Sequence, residues 1–160
     1  MATNKVEIRG VESLRRVLKR TADGIVTSDV LGKIGTYLTF SIKQRVQEGS
    51  KDVFGRPLDP YVPAYKLWRV ENKYGAGVDL TLTGSMFAAL THTTTPDKVT
   101  IFFMPGEGRT VRPGAKKVQN PAKAFYLQEK RKFFGYTEED VIKIMHLYNV
   151  HLGEVVKRGG

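Results

Sequence analysis

Three histidines, His92, His146 and His151, are the side chains in this 160-residue chain best suited to acid–base chemistry or metal binding. Their spacing argues against both. His146 and His151 stand five apart on one helical segment, so they point to different faces. Two ligands on a helix converge at i,i+3 or i,i+4. Glu138, Glu139 and Asp140 form an acidic run, but it opens a helix after Thr137. There, negative charge complements the helix dipole. Gly106-Glu107-Gly108 is a Gly-x-Gly fragment with no helix behind it to receive a phosphate. No nucleophile elbow, P-loop or dinucleotide fingerprint occurs. Cysteine is absent, which excludes disulfides, thiolate–zinc sites and thiol catalysis. The reading is no enzyme: no catalytic residue, no metal ligand and no cofactor.

The basic residues carry a different kind of chemistry. The net charge is +10, a balance that suits nucleic acid, an anionic membrane surface or an acidic protein. Between Pro105 and Gly135 eight basic residues face only Glu107 and Glu129. A second cluster lies at Lys5, Arg9, Arg15, Arg16, Lys19 and Arg20. Arg109, Arg112, Lys116 and Lys117 occupy a Gly-rich stretch without apolar periodicity, and form the candidate surface facing DNA or a partner. Such a loop can follow phosphates without reading bases. It can equally meet an acidic neighbouring subunit. No helix-turn-helix, RNA-recognition motif or zinc finger accompanies it. A second candidate surface is aromatic: Tyr61, Tyr65, Trp68 and Tyr74 sit in a Pro- and Gly-rich segment. Tyr and Trp favour subunit interfaces, and they also serve as minor core beneath long loops.

The elements that must position these groups follow from periodicity. Val6 and Ile8 alternate with Glu7 and Arg9 as a short strand, and Val11, Leu14 and Leu18 recur as a helix over about 11–22. A longer helix runs over about 28–48, with Leu31, Ile34, Leu38, Ile42 and Val46 as its apolar stripe. Gly32 and Gly35 interrupt it, which implies a close approach by another element. Residues 49–77 read as a long loop, with a helical turn near 64–70. A meander of antiparallel strands is expected over 79–104, clearest at Val99, Ile101 and Phe103. Residues 105–120 read as an exposed loop or projecting hairpin. Thr137 caps a last helix whose apolar face holds Val141, Ile144, Met145, Tyr148, Leu152, Val155 and Val156. The expected fold is one α+β domain over 1–160, with its core over about 5–156. An antiparallel sheet of about four strands packs against the long helix of the N-terminal half and the C-terminal helix. The N-terminus lacks a signal-peptide core, and no apolar run reaches about 18 residues, so no membrane partner is expected.

Several segments, taken together, resemble a known family. Phe54-Gly55-Arg56-Pro57-Leu58-Asp59-Pro60, followed by Tyr65-Lys66-Leu67, looks like the G-R-P-W-x-P-L loop of the phage virion morphogenesis proteins, also described as tail-completion or neck proteins. Leu80-Thr81-Leu82-Thr83-Gly84-Ser85-Met86 is similar to that family's L-x-x-T-G-x-L segment. Asn120-Pro121-Ala122-Lys123-Ala124-Phe125 resembles its I-P-A-R-P-F segment. Phe133-Phe134-Gly135-Tyr136-Thr137-Glu138-Glu139-Asp140 looks like its F-x-G-L-S-x-E-D lead into the C-terminal helix. The segments keep the family's order over about residues 30 to 155.

The resemblance implies a structural virion protein at the head–tail junction, assembled in the host cytoplasm, without catalysis or cofactor. Its implied partners are further copies of itself in a ring, a hexamer or a dodecamer. Head-side connector or adaptor proteins and tail-terminator or tail-tube proteins would flank the ring, with DNA in its lumen. Two alternatives stand beside it: a tail-terminator ring subunit, and a basic nucleic-acid-binding accessory protein.

Overall fold

The computed structural model describes residues 28–108 and 117–159. The expected strand over 5–9, the helix over 11–22, the N-terminal basic cluster, and Arg109, Arg112 and Lys116 lie outside the described residues. Within them the fold mixes helices with a two-stranded antiparallel sheet. Helix α1 spans Ser28–Gln47, α2 Pro63–Glu71 and α3 Ser85–Ala88. Strands β1 (Leu90–Thr95) and β2 (Lys98–Phe103) follow, then α4 (Asn120–Lys130) and α5 (Glu138–Gly159).

Helix α1 is the axis of the core. Its apolar positions recur every three to four residues, so Val30, Leu31, Ile34, Leu38, Ile42 and Val46 share one buried face. The β hairpin packs across that face. Its strands pair from Leu90↔Phe103 to Thr95↔Lys98, leaving Pro96 and Asp97 as the turn. Ile101 and Phe103 point inward as their alternation predicts. Phe133 is fully buried and lies between Phe87 (ring centroids 6.0 Å apart) and Phe103 (6.3 Å). Helix α5 packs on α1 and adds Ile144 and Tyr148 to the core.

Gly35 shows why a helix interior would accept a glycine. A Cβ built there would lie 2.3 Å from Cδ2 of His92, so the β1 imidazole sits where a side chain would be. Gly32 has no such neighbour within 4 Å. The close approach expected for both glycines is found at one of them.

The sheet differs from the four strands expected: among the described residues it has two. Asp79–Thr83, expected as a strand, turns sharply instead. Leu80 takes a left-handed φ of 51° while its side chain is buried. The Asp79 carboxylate accepts the Thr81 N–H at 2.8 Å, and the Thr81 hydroxyl bonds the Asp79 carbonyl at 3.0 Å. Local side-chain bonds of this kind replace the ladder bonds a strand would need. The long loop is also more ordered than its composition suggests. Pro63 begins α2, where a missing N–H costs nothing, and the helix runs nine residues. Likewise 120–130, legible only as a short segment, forms the eleven-residue α4 behind Pro121.

Candidate functional site

The four aromatic residues singled out by sequence come together around α2. Tyr61 meets Tyr65 edge to face at 5.0 Å. Tyr65 stacks on Trp68 at 5.8 Å, and Trp68 stacks on Tyr74 at 5.7 Å. Their setting divides them. Tyr61 leans into the core, with guanidiniums over its ring from Arg69 (5.0 Å) and Arg131 (5.2 Å). Its hydroxyl accepts the Leu80 N–H at 3.1 Å. Burial pushes the Tyr61 phenol up, nearby Asp79 adds to this, and the Arg69 charge opposes it. Tyr65 and Trp68 are half-buried, and Tyr74 is at the edge of solvent. The run is therefore a scaffold more than an outward face.

Arg69 organises that scaffold. It is 1% exposed, and its guanidinium bonds both Asp79 carboxylate oxygens (3.0 and 3.1 Å) and the carbonyls of Tyr74, Gly75 and Thr81. Burial alone would lower its pKa. Tyr61 and Asp79 outweigh that and raise it. One planar fork thus fixes the path of 74–81.

What faces outward had escaped the sequence reading. Pro63, Leu67 and Val70 recur at i, i+4 and i+7, and Leu67 (60%) and Val70 (51%) are exposed. Val62 (67%) precedes them. Earlier in the chain, a braced turn displays Phe54, 69% exposed. Asp52 accepts the N–H groups of Phe54 (2.9 Å) and Arg56 (2.8 Å), and its second oxygen accepts Nε of Arg56 (2.9 Å). Burial would raise the Asp52 carboxyl, but these bonds from Arg56 and Phe54 hold it below its usual range. Gly55 supplies the left-handed φ of 75° that closes the turn. The Arg56 guanidinium then lies over the Phe54 ring at 4.9 Å. The helical spacing of Pro63, Leu67 and Val70 was the available signal. A Pro-rich context hid it.

The basic segment is a hairpin at its base. Glu107 and Gln119 bridge antiparallel, the Gly108 N–H bonds the Val118 carbonyl at 3.0 Å, and Lys117 pairs with Glu107 at 3.1 Å. Of the four candidate basic residues, Lys117 is the one the described residues include.

The acidic run has two exposed members and one buried member. Thr137 caps α5 through the Asp140 N–H at 3.1 Å, and Asp140 returns the bond to the Thr137 N–H at 2.8 Å. Asp140 is also 1% exposed and accepts bonds from Tyr37, Ser41 and Arg45. Burial would raise its carboxyl. Bonds from Ser41, Thr137 and Tyr37 outweigh burial and hold it below the usual carboxylate range. Arg45, lowered by burial and supported by Asp140, reaches the carbonyls of Phe133 (3.0 Å) and Gly135 (2.8 Å). This network fastens α1 to α5, and its Tyr37 also lines an open groove with Lys33, Phe40, Lys143 and Leu147. Among the described residues no group of three or more His, Asp or Glu is placed to hold a metal ion, and no helix is long and apolar enough to cross a membrane.

Neither a protein-family model, nor a curated protein, nor a solved structure matches this chain.

Proposed function

We propose that the chain is a structural subunit of a tailed-phage particle, acting where the DNA-filled head joins the tail and working as a closed ring of copies. One observation carries the reading beyond the ordered sequence segments. Large apolar side chains are held outward on rigid supports: Phe54 on an Asp52-braced turn, and Val62, Leu67 and Val70 along α2. A ring subunit needs a fixed patch for its neighbour, because a heterologous contact must repeat at the same angle to close. Rigid aromatic and aliphatic anchors serve this well, since little side-chain entropy is lost on contact. The interface is thus assigned to Phe54, Val62, Leu67 and Val70, supported from behind by Tyr61, Tyr65, Trp68 and Tyr74.

Negative-stain microscopy of particles made from a genome with this gene interrupted tests the proposal. Filled heads beside unjoined tails of normal length are expected. Tails of abnormal length would favour the tail-terminator reading, and normally joined particles would end both. In the latter case the basic surface, and a nucleic-acid-binding role, is the reading left.

A further inference from the structure

Helix α4 carries the chain's basic density from the hairpin stem onto a regular element. Its residues advance by about 100° each, so Lys123, Tyr126 and Lys130 (i, i+3, i+7) form one stripe. Glu129, the helix's single acid, lies off that stripe toward Phe125. Tyr126 is 64% exposed between the two lysines. The stripe joins the stem directly. A Cβ at Gly108 would lie 2.0 Å from Nζ of Lys123, so the ammonium crosses the stem where Gly108 leaves room. Lys117 stands on the opposite stem strand, its side chain 60% exposed and paired at 3.1 Å with the similarly exposed Glu107, a surface pair that a phosphate can displace.

We propose that Lys117, Lys123, Tyr126 and Lys130 form a docking surface for the sugar–phosphate backbone of double-stranded DNA. The lysines of α4 stand about 10 Å apart along the axis, about three base pairs of duplex rise. Charged lysines on a regular support track a backbone without reading sequence, and a phenol hydroxyl between them can donate to a phosphate oxygen. Nothing in the stripe offers a fork for a base edge. The surface therefore binds DNA of any sequence. The assignment rests on charge layout alone and stands or falls independently of the ring reading.

Fluorescence anisotropy with a labelled duplex of about 30 base pairs and arbitrary sequence tests it on the full chain. Affinity should fall steeply from about 50 to about 200 mM salt. Lys123→Glu combined with Lys130→Glu should weaken binding by about tenfold or more and reduce the salt slope by about 1.8, about 0.9 for each lost phosphate contact. Lys33→Glu combined with Lys143→Glu removes the same net charge from α1 and α5, and should change affinity by less than about threefold. Equal losses in both double variants would overturn the assignment, since net charge alone would then explain binding. So would absence of DNA binding by the unaltered chain, or binding to poly-glutamate in its place, which would mark the stripe as a protein-docking face. Unchanged thermal unfolding of each variant confirms that the fold is intact.

Discussion

Arg45 and Arg69 are both withdrawn from solvent and both paired to an aspartate, yet Arg45 reaches Asp140 across 95 residues whereas Arg69 reaches Asp79 across 10. The two knots therefore hold different things. The first ties α1 to the start of α5 and to the backbone of Phe133 and Gly135, with both partners inside. The second folds one stretch of chain back on itself, and its aspartate stays 30% exposed. A buried pair whose partners come from distant elements is part of the global fold. A pair whose partners are sequence neighbours sets the shape of a surface.

The fully buried pair should give the largest effect. Asp140→Asn leaves Arg45 without its counter-charge in a buried setting, and should cost about 3–5 kcal/mol in urea unfolding. Arg69→Met should cost less globally, about 2–3 kcal/mol. Its signature is local: faster hydrogen exchange confined to about residues 72–83, where its carbonyl bonds are lost. If Arg69→Met opened the whole molecule evenly, the division between the knots would be wrong. Gly35→Ala places a methyl against His92 and should cost about 1–3 kcal/mol, with His92→Ala in the same chain recovering part of it.

Acid sharpens the same contrast. The folded-state pKa of Asp140 lies below its unfolded value, about 3.9. Its contribution is therefore present above that unfolded value and is lost as pH falls through the folded one. Asp52 behaves likewise. Thermal unfolding followed downward from about pH 5 should show stability falling, and Asp140→Asn should flatten that fall. An unchanged slope in the variant would mean that other carboxylates dominate.

How much of this was legible depends on which force decides each segment. The α1 stripe was readable because burial of Leu31, Ile34, Leu38, Ile42 and Val46 needs only helical spacing. The hairpin was readable from Val99, Ile101 and Phe103 with a Pro-Asp turn before them. Leu80 and Leu82 carried the same alternation and misled, because hydrogen bonding by Asp79 and Thr81 overrode it locally. Asp140 looked like helix-start charge beside Glu138 and Glu139. Only the partners from α1 reveal it as a buried hub. Arg69 drew no attention in the sequence, since three of its acceptors are backbone carbonyls and carry no sequence signal. The four aromatic residues named from sequence do gather in one place, but which side of α2 faces out depended on Tyr61 and Arg69 turning inward.

The measurement that tests the account most directly is microscopy of phage particles whose chain carries Phe54→Asp with Leu67→Asp. Both side chains are exposed, and the Arg56 guanidinium over the Phe54 ring is a surface contact, so the isolated protein should fold with little loss of thermal stability. The account predicts filled heads beside unjoined tails of normal length, because the outward anchors are gone while the fold remains. Joined particles in normal numbers would contradict it, and would remove the turn and α2 from any role in assembly.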